Sequence, residues 1–287
     1  MKHQSTYRWD GNAWSTWTPG LIVILLDTSE LMSRCLPGTS TPRCVEAAEI
    51  VNRIIDFFIQ LNYDGDHVKD RGLVVIIGYS NDAEIMYSQY LSAYDNAPKY
   101  IEIIKKTISD GAGGRVEIDR QMPIWVEPTC SAQKRNFNCG FSYAKEIIAN
   151  WKENNPKAPV PLTINISAFD NTTEQKLMTR DELKTIEIAE EISSIQFEGG
   201  ESSHIVNIVI GNEAEYSCQT LNFLKLISSP LPQEYTSIFG KVHIKNSHCL
   251  FISEKKDLYT LIEYTTHLYS EKGLRDQSHE DTSIYLS

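Results

Sequence analysis

The run Leu21-Ile22-Val23-Ile24-Leu25-Leu26 constrains this chain more than any other feature. An uninterrupted aliphatic stretch, β-branched in its middle, suits a strand buried on both faces, as in a parallel sheet covered by helices. It is far shorter than the roughly 20 residues needed to cross a bilayer. The run stops at Asp27-Thr28-Ser29, residue types that favour turns and helix caps.

Similar strands recur at 73–79, 162–167, 205–211 and 249–252, with helical apolar spacing between them. Helices are predicted over 44–61, 141–151, 180–195, 221–227 and 255–269, and a short one over 97–107, followed by a flexible turn at Gly111 to Gly114. Such alternation predicts an α/β fold with a doubly wound, mainly parallel central sheet flanked by helices. With no Pro/Gly-rich linker in view, a single domain over 20–270 is expected. It has an aromatic arm before it (1–19, with Trp9, Trp14 and Trp17) and a polar tail after it (271–287). The arm is expected to pack on its own domain, with partner docking as the alternative.

Composition narrows the function. The 287 residues carry a formal net charge of −11, which opposes direct binding of nucleic acid or an anionic membrane. Met1 to Ser5 have no apolar stretch of the kind a secretory signal needs, so a cytoplasmic protein is expected. The six cysteines form no C-x-x-C pair and are read as unpaired thiols. Asp64-Gly65-Asp66 lacks the rest of an EF-hand, and Gly111 to Gly114 lack the Lys-Ser/Thr of a phosphate loop. No Gly-x-Ser-x-Gly or paired acid/base cluster is present, and a protein without enzymatic activity is expected.

The stretch from Ile22 to Met32, with Asp27-Thr28-Ser29-Glu30-Leu31-Met32-Ser33 at its exit, resembles the opening of a von Willebrand factor type A (VWA) domain. Val68-Lys69-Asp70-Arg71 leading into Val74 to Tyr79, Pro123 to Pro128, Ala144 to Trp151 and Pro161 to Ser167 are similar to successive segments of a bacterial intracellular VWA subgroup. The resemblance implies a site for Mg²⁺ built on loops at the carboxyl ends of the strands, where open α/β sheets usually bind ligands. Asp27 and Ser29 match its first loop. Leu31 takes the place of the second serine, Arg135 falls near the threonine position, and Ala168 takes the aspartate position, with Asp170 two residues on.

The resemblance therefore implies a non-enzymatic interaction adaptor with a degenerate metal site and no cofactor. Its partner surface would be Asp27, Ser29, Leu31, loop 129–139 with Arg135, Phe169 and Asp170, with Leu31 and Phe169 supplying apolar contact area. Arg135 is expected to replace the metal by pairing with Asp27. The bland alternatives are that Gln133-Lys134-Arg135 is a solvated loop and that Asp27 and Ser29 merely cap the following turn. The subgroup occurs beside protein kinases and metal-dependent phosphatases in stress or defence systems, which implies protein partners of that kind. One alternative keeps a re-registered Mg²⁺ site on Asp27, Ser29 and Asp170, with Thr129 as a further candidate. Another makes the chain a non-catalytic subunit of a nucleic-acid-directed effector complex.

Overall fold

The computed structural model describes residues 14–109, 115–169, 178–197, 202–211, 216–230 and 248–252. In chain order, β1 (Gly20–Asp27) is followed by a 3₁₀ turn at Glu30–Ser33, α1 (Arg43–Leu61), a short hairpin of β2 (Tyr63–Asp64) and β3 (His67–Val68), then β4 (Gly72–Tyr79), β5 (Ala83–Tyr90) and α2 (Leu91–Asn96). A longer hairpin of β6 (Tyr100–Ser109) and β7 (Arg115–Ile124) precedes α3 (Phe137–Asn154), β8 (Leu162–Ser167), α4 (Arg180–Ser194), β9 (His204–Val209), α5 (Cys218–Leu226) and β10 (Leu250–Ile252).

The main sheet has six strands in the order β10-β9-β8-β1-β4-β5. All neighbours pair in parallel except the edge strand β5, which runs antiparallel to β4. This is the doubly wound, mainly parallel α/β architecture that the sequence pattern predicts. The period of two along β1 explains its continuous aliphatic run. Ile22, Ile24 and Leu26 pack with Ile50, Ile54 and Phe58 of α1 on one face, while Leu21, Val23 and Leu25 pack with Phe141 and Ile148 of α3 and Ile192 of α4 on the other. Each such side chain contributes about 1.5–3 kcal/mol by leaving water, so both faces select against a polar residue anywhere in the strand.

Helix starts follow their caps. Thr179 and Glu182 form a reciprocal capping box at α4. At α3 the side chain of Asn136 accepts from the Asn138 N–H at 3.1 Å, so the helix begins at Phe137, before the predicted residue 141. In the same way α5 begins at Cys218, where Ser217 accepts from the Thr220 N–H.

The region after β4 departs most from expectation. In place of a helix over 97–107, β6 pairs antiparallel with β7 from Tyr100↔Ile124 to Ser109↔Arg115. Its β-branched residues, Ile101, Ile103, Ile104, Thr107 and Ile108, favour a pleated strand over a helix. Edge strand β5 escapes a simple periodicity reading because both its faces are largely open to solvent. Trp9, Gly111 to Gly114, the predicted helix 255–269 and the tail 271–287 lie outside the described residues.

The aromatic arm packs on its own domain at Trp14. Its indole stacks on Phe58, 5.9 Å between centroids and 9° from parallel. It also covers the first residues of β1 and β4, where a methyl at Gly20 or Gly72 would collide with the ring. Trp17 is 93% exposed. Among the described residues no helix is long and apolar enough to cross a membrane.

A chain of hydrogen bonds crosses the buried layer under the sheet. The Tyr79 hydroxyl donates to Asn165 Oδ1 at 2.8 Å, Asn165 Nδ2 donates to Asn207 Oδ1 at 2.7 Å, and Asn207 Nδ2 donates to Ser228 Oγ at 2.8 Å. Burial pushes the Tyr79 phenol well above its ordinary value, so it stays a donor. Asn165 is fully buried at the centre of the chain and opposite Asn207 in the strand register. Replacing Asn165 with Leu strands partners on both sides, and urea unfolding is expected to register a loss of about 3 kcal/mol.

At the start of β9, His204 Nδ1 is buried, and burial holds its pKa down to about 4, below the ordinary imidazole value. The unfolded chain therefore takes up this proton more readily than the native chain. Stability contributed by neutral His204 is complete above pH 6.5 and is lost as pH falls toward 4. Thermal melts over this range should show a weaker pH dependence in His204→Gln than in the parent protein.

Candidate functional site at the carboxyl edge of the sheet

β1, β4 and β8 deliver Asp27, Tyr79 and Ser167 to the same edge, because their parallel registers are aligned. The loop 128–136 lies across this edge and is pinned by backbone bonds. Ser131 N–H donates to Thr28 O at 2.7 Å, Glu30 N–H to Gln133 O at 2.8 Å, and Asn136 N–H to Ser80 O at 2.8 Å. The Ser80 hydroxyl adds a 2.8 Å bond to Gln133 Oε1.

These tethers turn Arg135 inward. Its Nη1 lies 3.6 Å from Asp27 Oδ2, with the arginine side chain 15% exposed and the aspartate fully buried. Nη1 also donates to the carbonyl of Ala168. The guanidinium carbon lies 4.3 Å from the Phe137 ring centroid and 4.1 Å from that of Phe169, close enough for cation–π attraction. The other oxygen of Asp27, Oδ1, accepts from the Ser29 N–H at 2.8 Å. Burial pushes the Asp27 carboxyl above its ordinary value, while Arg135 and the bonds from Ser29 pull against that rise.

The sequence-predicted residues separate here. Asp27, Ser29 and Arg135 come together, and Ala168 joins them through its carbonyl. The solvated-loop expectation for Arg135 is corrected, because the neighbouring backbone bonds fold it onto a buried carboxylate. Leu31 sits half-buried in the 3₁₀ turn. Phe169 is not an exposed contact residue: it is 6% exposed, stacked on Phe137 at 5.7 Å and edge-on to Tyr216 and Phe223. It supports the arginine from beneath. Thr129 is exposed, and its hydroxyl donates to Glu127 O at 3.0 Å. Asp170 lies outside the described residues. The Asp27 carboxylate accepts from the Ser29 N–H, so the capping expectation holds for that carboxylate.

Ser80 lies outside the sequence-predicted surface, whereas Gln133 and Phe137 fall within its loop 129–139 but carry no individual role there. The signal that reveals Phe137 is its place two residues after Arg135, paired with Ala168-Phe169 on β8's exit. Among the described residues no group of three or more His, Cys, Asp or Glu is arranged to hold a metal ion.

No family model matches the chain, and no curated protein matches it. Solved structures do resemble it in backbone arrangement. BatB from Bacteroides thetaiotaomicron is 11% identical, over 87% of this chain and 98% of that one, with a TM-score of 0.43. A von Willebrand factor type A protein from Catenulispora acidiphila is 12% identical, over 88% of this chain and 42% of its own, also at 0.43. The proximal thread matrix protein 1 of the mussel byssus, with a zinc-occupied MIDAS motif, is 11% identical over 88% and 48%, at 0.46. This chain thus spans nearly all of the first and less than half of the other two.

Removing one member of the buried pair leaves the other charge stranded. Arg135→Ala is expected to lower stability by about 3–5 kcal/mol, and pairing it with Asp27→Asn should recover part of that loss. Urea titrations of the two single variants and the double variant measure the coupling directly.

Proposed function

We propose that this chain is a non-enzymatic, VWA-like protein-interaction module whose metal site has been replaced by a fixed cation, Arg135. The observation that carries this reading is the guanidinium 3.6 Å from the buried Asp27 carboxylate. Mg²⁺ requires a near-octahedral set of oxygen ligands. Leu31 offers no oxygen, the Ala168 carbonyl already accepts from Arg135, and the Thr129 hydroxyl is turned to Glu127. Asp27 and Ser29 alone do not fit the ion, and the positive charge of Arg135 repels it. With the charge of Asp27 balanced from within, recognition would rest on side chains at the rim.

That rim consists of exposed residues 127–130 and 132–134, beside half-buried Leu31. Lys134 is its cation, and Leu31 supplies apolar area, a combination that gives charge steering with a small desolvated centre. A protein subunit of the same system, such as a kinase or phosphatase of a bacterial signalling, stress or defence assembly, is the partner class that the sequence resemblance supports. The formal charge of −11 argues against a direct nucleic-acid role.

Calorimetric titration of Mg²⁺ and Mn²⁺ into EDTA-stripped protein is expected to give no saturable heat and no rise in melting temperature. A ligand bound only by the folded state must raise its stability, so a saturable heat abolished by Asp27→Ala would overturn the fixed-cation reading in favour of a Mg²⁺ site.

A further inference from the structure

We infer that β6 is a self-association edge: two copies of this chain pair antiparallel along it, about a two-fold axis at Ile104, and join their hairpins into one four-stranded sheet. This goes beyond the proposed interaction role and does not depend on it.

The β6–β7 hairpin is long for what supports it. Each strand has 10 residues, about 34 Å of extended chain. The body holds it toward the end near Ile124. There Met122 and Ile124 are buried, Arg120 Nη2 donates to Asp56 Oδ2 of α1 at 3.1 Å, and Asn52 Oδ1 accepts from the Trp125 and Val126 N–H groups, both at 2.9 Å. Ile101, Ile103, Val116 and Ile118 are exposed. Among the described residues neither strand pairs with a third. A two-stranded ribbon by itself is marginally stable in water, and a further strand is one of the remedies.

Two features direct the pairing to β6 rather than to β5 or β7. The ladder of β5 has a register irregularity opposite Ile76 and Ile77, and such bulges blunt an edge. β7 contains Pro123, which has no N–H to offer a new neighbour. β6 has neither device: its register against β7 runs unbroken from Tyr100 to Ser109, and no proline interrupts it.

The order of residue types along β6 is complementary to itself about Ile104. Antiparallel pairing centred there sets Glu102 against position 106 of the second copy, a lysine, and the two-fold axis repeats that pair in reverse. Tyr100 meets position 108, an isoleucine, and Ile104 meets its own copy. Residues directly opposite in an antiparallel pair share a face, and opposite-charge and aromatic–β-branched pairs are the kinds that stabilise a sheet. Neighbouring registers lose this match. Centring on Ile103 sets Glu102 against Ile104 and Ile101 against Lys105, while centring on Lys105 opposes two like charges. Within its own hairpin Glu102, which is exposed, lies opposite Met122, and position 106 lies opposite Ile118, so neither faces a charge across its own ladder.

Sedimentation equilibrium of the full chain over a wide concentration range tests this. The mass is expected to rise from 32.6 kDa toward twice that value, with less dimer at high salt because exposed charge pairs are screened. Glu102→Lys and Lys106→Glu should each weaken dimerisation about tenfold or more, since each sets like charges opposite one another on both sides of the axis. Mixed in equal amounts, the two variants should associate as the parent does, because a heterodimer restores both opposite-charge pairs. Far-UV circular dichroism of both variants should match the parent. A parent protein that stays at 32.6 kDa at every concentration leaves the edge to a foreign strand or to water and overturns the inference. So would a dimer that neither reversal weakens, or a mixture no more associated than its components.

Discussion

The arrangement at the carboxyl edge depends on a charge that cannot reach water. Asp27 ends β1, a strand buried along its whole length, and its carboxylate is fully enclosed. An isolated buried carboxylate costs several kcal/mol even after relaxation. A hydrogen bond from the Ser29 N–H offsets part of this, and the charge of Arg135 at 3.6 Å offsets more. The path of loop 128–136, the aromatic layer below it and the position of Ala168 follow from bringing that arginine inward.

Arginine suits this place better than lysine would. Its planar, weakly hydrated guanidinium bonds the Ala168 carbonyl, faces the Asp27 carboxylate and lies against the rings of Phe137 and Phe169. Those rings belong to a cluster with Phe223 and Tyr216 that joins α3, β8's exit and α5. The charge is thus seated on the core beneath α3 and α5, and the polar chain from Tyr79 to Ser228 runs through the same region. Electrostatic and packing stability are coupled here, so changes at Arg135 are felt through both.

Much of the fold was legible because its signals are local. The aliphatic run at 21–26 and its counterparts at 73–79, 162–167 and 205–211 mark strands buried on both faces, and α1 and α4 show one apolar stripe each. The β6–β7 hairpin was not legible. Ile101 and Ile103 are 54% and 65% exposed, so their apolar pattern reports no buried face, and only pairing with β7 makes the segment a strand. Edge strand β5 was obscured for a related reason, having one paired side and little burial.

At the site, the sequence alone determined which chemistry was present and which was missing. Asp27 and Ser29 stand at a strand exit, Leu31 and Ala168 lack side-chain oxygens, and a cation occurs at position 135. These are properties of residue type and local order. Tertiary structure alone decided that Arg135 points inward and that Phe169 is a buried support. Each depends on contacts between segments far apart in the chain, held by backbone bonds such as Ser131 to Thr28 and Glu30 to Gln133. A side chain's direction in a loop is set by such tethers, and no periodicity in the sequence encodes them.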